Sequence, residues 1–504
     1  MTTLIKNIIL VDGTSKPSFK ADVLIRDQKI IALGSFPNIK ADKIIFGNEN
    51  YLVPGFIDIS SNADRYLSLF SYPLHKDFIS QGVTTTIVGH CGFSLAPLFY
   101  ASLDHFVNWT KTNHVNINWK TTKEYLDTLE KSFNFGVNIG TFSGHKVMRE
   151  EILKNPKEFR NLTSNELRVL RSVLEGSIRD GSFGLSTGLG YYPYQQITYH
   201  ELRALLDIVR QNKGIYETHI RNEKENIEEE VKEVIRLSQE MTTTTIISHL
   251  RPFFGFEEKY KNAISLIEEK TAKANVYFNI NPFSYSAVSI DSFLPDEFRK
   301  DDRLALIEKL KDKDISKKVL DVLPKINGEK TIILNAPGVE IINGKNLSEF
   351  AQNRGLTVPK AIIELMIISK LRAILFYENL NQQEVDKAII SSRSLISSSG
   401  TNVDDHNAFK PDRSNKSFTT FLKKASVENI NLEKAIFKIS GLPASLLSLE
   451  SRGFISSGYF ADLVLLNKDL DVSMVMVNGN ILIEDGQLVP NPILKGAILR
   501  KKKK

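Results

Sequence analysis

From Thr163 onward one unit recurs, and it restricts the fold more than any other feature of the chain. Thr163 and Glu166 stand at capping-box spacing before an apolar stripe of Leu167, Leu170, Leu174 and Ile178, and the strand-like "DGSFGLSTG" follows. Thr198 and Glu201 repeat the spacing before Leu202, Leu205, Leu206 and Val209; "NKG" ends that helix and "IYETHI" reads as the next strand. The third helix, "NIEEEVKEVIRLSQEM", runs into "TTTTIISH". Helices and strands in strict alternation build a parallel sheet with crossover helices. The alternating segment, 57–444, is long for an open sheet and suits an eight-stranded (β/α)8 TIM-type barrel with insertions.

Both ends of the chain read differently. Residues 1–56 contain short alternating strands, "LIKNIILVDG", "ADVLIRDQKIIALG" and "ADKIIFG", and the texture returns over 445–492 in "ADLVLLNKD" and "VSMVMVNGNILIEDGQLV". Residues 493–504 close the chain with "RKKKK", which reads as a solvated basic tail. The net charge of +6 is small for 504 residues and gives no ground for a nucleic-acid or membrane-surface partner. A single cysteine excludes an internal disulfide, and the apolar run at the N-terminus is too short for a signal peptide or a span, so the cytoplasm is the expected compartment.

That single cysteine, Cys91, lies in "GHCGFSLAP" directly after the strand-like "VTTTIV". Barrel enzymes build their sites at the carboxyl ends of strands. His219 ends "IYETHI" and His249 ends "TTTTIISH", so three metal-ligating residue types fall at three strand ends facing one opening. Cys-His-His is a sensible zinc set that leaves a fourth position for water or substrate. Each residue alone is as consistent with inert packing or a hydrogen-bonded histidine. His90 neighbours Cys91, and strand alternation points it the other way, as a structural residue.

The ordered series "YLVPGFID", "QGVTTTIVGHCGFSLAPL", "DGSFGLSTGL", "THIRNE", "ISHLR" and "ISGLPASLLSLESRGFISSGYFADLVLLN" resembles the N-acyl-D-amino-acid deacylases, or D-aminoacylases, of the amidohydrolase superfamily. The resemblance implies a barrel carrying a small β-sandwich made from both chain ends (1–56 and 445–492). It also implies one zinc on Cys91, His219 and His249, and hydrolysis of the non-peptide C–N amide bond of a small N-acylated D-amino acid. The family's Gly-His-x-x-x-Arg segment matches His145 and Arg149 and places them at the mouth of the site. Arg413, in "KPDRSNKSF", and Arg251, where the family has lysine, are the expected carboxylate-binding residues. A family insertion, here about 285–344, is expected to form a lobe covering the site.

The same resemblance exposes losses. Ser60 and Asn62 stand where the family has His-x-His, and neither is a good zinc ligand. Ser399 stands where the family has its catalytic aspartate; Asp404 and Asp405 are the nearby candidates to replace it. The family's "YPY" is "NPF", Asn281 to Phe283, without the phenol hydroxyls. A serine cannot take a proton from water near neutral pH, and a positioned base is worth about 10²–10⁴ in rate. Three readings follow: a working mononuclear zinc amidohydrolase, a degenerate relative that keeps zinc and pocket as a binding module, and a metal-free scaffold.

Overall fold

The computed structural model describes residues 1–100, 106, 115–153, 159–269, 274–299, 303–402 and 409–502. Eight parallel strand positions form the central barrel. In order they are Phe56–Asp58, Val83–Val88, Asn138–Thr141 (continued by Ser143–Gly144), Gly184–Gly188, Ile215–His219, Thr244–Ile247, Val276–Ile280 and Ser394–Ile396. Neighbours pair in parallel register along two arcs, and beyond Ser394–Ile396 the ring closes onto the first strand through Ser398 N to Asp58 Oδ1 at 3.0 Å and Ser399 N to Ser60 O at 3.0 Å. Ile57, Ile87, Phe142, Ile215, Ile246 and Leu395 fill the interior, the packing that fixes a barrel rather than a pore.

The crossover helices follow from local sequence. Ser164–Asp180 starts with a complete capping box at Thr163 and buries Leu170, Leu174 and Ile178. Tyr199–Gln211 departs from expectation at its start. Thr198 caps Glu201 N, but the Glu201 carboxylate turns inward to His145 and Arg149, because a buried cation competes better for it than an exposed backbone N–H.

Strands from both chain ends form a small β domain. They hydrogen-bond as one branched nine-stranded sheet around Ile5, Leu10, Val23, Leu463 and Met474. The branch is at Thr2–Leu10, which pairs with Phe19–Arg26, Lys43–Phe46 and Tyr51–Pro54. Tyr51–Pro54 also pairs with Leu463–Leu466, so the two ends of the chain meet just before the first barrel strand.

Two expectations are corrected. The lobe does not close near residue 344: its sheet runs Tyr285–Ser289, Ile374–Glu378, Ile332–Asn335, and the latest strand in the chain is the central one. Its own core includes Leu310, Phe350, Met366 and Leu375. Nor is the C-terminal run a solvated tail over its described part. Gly496 N and Leu499 N donate to Phe135 O and Ile139 O, Lys501 N donates to Gly181 O, and Arg500 pairs with Asp127 and Glu130 at 2.8 and 2.9 Å. Leu494, Ile498 and Leu499 pack against buried clusters, so the basic residues ride on an apolar anchor.

Candidate metal centre and substrate cavity

Above the carboxyl ends of the strands lies a cavity of about 1170 Å³, walled on one side by the barrel loops and on the other by the lobe. Cys91, His219 and His249 all line it, and their ligand atoms lie within 4.8 Å of one another. Cys91 Sγ and His249 Nε2 are 3.2 Å apart, and the two imidazoles meet edge to face at 4.4 Å between centroids.

The backbone is bent to achieve this. Cys91 and His249 adopt left-handed φ values of 54° and 33°, a conformation that disfavours side chains and is retained where a site needs it. Gly89, at φ 84°, lets the turn enter, since a Cβ there would lie 2.3 Å from Phe142 O. Gly190 makes room for the ligand itself: a Cβ would fall 2.5 Å from His219 Nε2.

Two carboxylates that sequence reading did not single out hold the cluster. Glu217 shares a face of its strand with His219 and accepts the Cys91 N–H at 3.1 Å; its other oxygen is 3.6 Å from His90 Nδ1. His90 is thus structural, as alternation indicates. Glu223 lies 3.2 Å from His219 Nε2 and 3.7 Å from His249 Nδ1, and receives Arg251 through both oxygens, with Nε at 3.1 Å. Burial opposes charge on Glu223, but Arg251 and the two histidines outweigh it and hold the carboxyl well below its ordinary range. Its spacing four residues after His219 in "THIRNE" was the available signal.

The donors fit a zinc-class ion. Burial, then the Glu217 charge, pushes the Cys91 thiol up to about 12, a group that a coordinated dication would ionise. Burial and the neighbouring His219 bring His249 down to about 3, so it stays neutral with a lone pair to offer. A carboxylate behind the imidazoles is the usual outer support of a histidine-bound metal. One thiolate and two imidazoles select a borderline metal over magnesium or calcium.

Among the described residues the opposite rim carries no such set. Ser60, Asn62 and Ser399 line the cavity and are tied together: Asn62 Nδ2 donates to Ser399 O at 2.8 Å and Asn62 N to Gly400 O at 2.7 Å. Ser399 Oγ is buried without a partner among the described residues, at φ 43°. Asp404 and Asp405 lie outside the described residues.

The expected substrate residues divide. Arg413 lines the cavity, buried, with Nε unpartnered and the guanidinium 5.5 Å from the Phe376 ring. Burial, with Arg251 and Arg65 nearby, lowers it to about 10. Arg251 also lines the cavity, but its charge is matched by Glu223. His145 and Arg149 are corrected: they share Glu201 at 2.8 and 3.1 Å and are fully buried, while Lys146, Glu150 and Glu151 of the same helix, His145–Leu153, reach the cavity. The helix turns its matched residues into the core. Arg65, donating to Tyr191 Oη and His90 O, is a cavity cation that sequence reading missed.

No protein-family model matches the chain. It is 27% identical over 464 residues to a D-aminoacylase of Alcaligenes xylosoxydans xylosoxydans, covering 91% of this chain and 86% of that one. An N-acyl-D-aspartate deacylase of the same organism is 26% identical over 470 residues, with 92% and 85% covered. The chain is a homologue of the D-aminoacylases. Among solved structures it superposes on the N-acyl-D-glutamate deacylase of Bordetella bronchiseptica, complexed with zinc and a phosphonate mimic of the tetrahedral intermediate. That match has a TM-score of 0.82 at 22% identity and 99% coverage of both chains. The fold is therefore that of the D-aminoacylase amidohydrolases, a TIM barrel with a small β domain, and the named homologues are hydrolases of non-peptide C–N bonds. No helix among the described residues is long and apolar enough to cross a membrane.

Proposed function

We propose that the protein is a single-zinc amidohydrolase acting on the amide bond of an N-acyl-D-amino acid or a similar N-acylated carboxylate. The observation that carries this reading is the convergence of Cys91, His219 and His249 on one point in a cavity that also presents Arg413, whose Nε has no hydrogen-bond partner among the described residues. Held by those three residues, zinc would polarise the scissile carbonyl and acidify a water. The chain's own part is positioning. Arg413 offers a fork for the substrate carboxylate, worth more in its buried setting than at a surface. Glu223 fixes both imidazoles and neutralises Arg251. Ser399 Oγ supplies a buried hydroxyl for one hydrogen bond to the substrate, and no proton acceptor for water.

That last point supports a second reading, a binding module that keeps zinc and pocket without turnover. Elemental analysis of the purified protein beside Cys91→Ala, followed by amine release from N-acyl-D-amino acids, separates the two. About one zinc per chain, lost in the variant, with D-selective hydrolysis is the expected result. Zinc without hydrolysis leaves the binding module, and no zinc in wild type overturns both.

A further inference from the structure

The cavity has two chemically distinct halves, and the proposed reaction uses one. The barrel half carries the metal donors with Arg65, Glu223, Arg251 and Arg413; the lobe half adds Phe293, Leu294, Leu306, Val322, Leu371 and Ile374 to its wall. Four of these, Leu294, Leu306, Leu371 and Ile374, belong to the lobe's buried apolar side chains, so the edge of that core opens onto the cavity. Polar side chains share this wall, Tyr285, Arg303 and Tyr377 among them, and several are engaged with one another: Ser286 Oγ donates to Asn379 Oδ1 at 2.8 Å, Ser289 Oγ to Asp291, and Ser292 Oγ to Ser289 O at 2.7 Å. Asn379 Nδ2, where the lobe rejoins the barrel, has no hydrogen-bond partner among the described residues. A volume of about 1170 Å³ exceeds the roughly 300–1,000 Å³ that encloses a drug-sized ligand, and an N-acetylated amino acid is far smaller than that.

We propose that the substrate is an amphiphile, with its carboxylate at Arg413, its amide at the metal donors and a long apolar tail lying under the lobe. The middle lobe strand, Ile374–Glu378, joins the two ends: Phe376 packs by the Arg413 guanidinium while Ile374 and Tyr377 face the cavity. A tail there extends the lobe core and removes apolar wall from water. The assignment rests on the hydrolase reading for the amide and carboxylate; the tail has its own support in the lobe wall. It has two chemical sources, the acyl group and the amino-acid side chain.

The test uses zinc-loaded, full-length protein and two substrate series. One lengthens the acyl group from acetyl to decanoyl on D-alanine; the other lengthens the side chain from N-acetyl-D-alanine to N-acetyl-D-2-aminooctanoate. Binding is followed by calorimetry and hydrolysis by amine release. The series whose tail enters the lobe should gain roughly fourfold per methylene until the space is filled, which identifies the source. Val322→Glu, at an exposed helix end, should lower the long-to-short preference at least tenfold, and binding reports this even if turnover is absent. Both series flat within twofold overturn the tail site while leaving any hydrolysis intact. Tighter binding of long members with no hydrolysis of any supports the tail site and removes the hydrolase reading.

Discussion

The two rims of the barrel mouth are built alike and furnished differently. Strands two, five and six end in Cys91, His219 and His249; strands one and eight end in Ser60, Asn62 and Ser399. Both rims carry left-handed backbone at a key residue, Cys91 and His249 on one and Ser399 on the other. On the metal rim, carboxylates stand behind the donors, with Glu217 on the Cys91 backbone and Glu223 between the imidazoles. On the other rim, Asn62 bonds to the backbone of Ser399 and Gly400, and the one carboxylate behind it, Asp58, accepts from Ser60 N and Ser398 and braces no metal-ligating side chain among the described residues. The barrel therefore fixes where functional atoms can stand, and the residue at each strand end decides whether they hold a metal or merely close the ring.

The largest expected effect comes from giving the second rim a carboxylate. If this chain hydrolyses amides without a base at the end of strand eight, Ser399→Asp should raise kcat by about 10²–10⁴ at neutral pH. Single-turnover amine release on metal-loaded wild type and variant reads this directly. An unchanged or lower kcat, with zinc retained, would show that the second rim is not where the proton goes, and the functional contrast between the rims would fail.

A smaller effect is expected where the metal rim is braced. Glu223→Gln keeps the shape but removes the charge that orients both imidazoles, and zinc affinity should fall about 10–100-fold in chelator competition. The variant also leaves Arg251 buried without its partner, which by itself destabilises the fold. Glu223→Gln combined with Arg251→Leu removes that complication. If the double variant regains wild-type zinc affinity, Glu223 serves the ion pair and not the metal ligands.

Most of this contrast was legible in the sequence. Repeated capping boxes and apolar stripes implied the barrel, and strand-end placement brought Cys91, His219 and His249 together before any coordinates did. Arg413 lines the cavity, as a carboxylate-binding residue has to. His145 and Arg149 do not, because a segment at the mouth became a helix, His145–Leu153, whose matched residues turn inward to Glu201. The lobe's extent was missed because its sheet is closed by the strand farthest along the chain, and pairing between distant segments leaves no local signature. The anchored C-terminal run was misread for a related reason: its charges are local and visible, while the strand edge that receives Leu499 is more than three hundred residues earlier.

The mildest test concerns how the second rim is held. Asp58 is fully buried, accepts Ser398 N at 3.0 Å and Ser60 N at 3.2 Å, and also receives the Ser398 hydroxyl. Burial dominates these hydrogen bonds and raises its carboxyl to about 6. An ordinary aspartate in the unfolded chain titrates near ~3.9, so the folded state keeps its proton over a range where the unfolded state has lost it. Stability from this group is therefore complete below about pH 4 and falls as pH rises through about 6, by on the order of 2–3 kcal/mol. Asp58→Asn replaces the titrating group with a neutral one and should flatten that part of the profile. Denaturant midpoints at pH 4.5 and 7.5, taken as the difference between wild type and variant, isolate Asp58 from every group the two proteins share. Parallel profiles would mean that Asp58 stays ionised throughout and that the second rim is held as firmly by charge as the metal rim is.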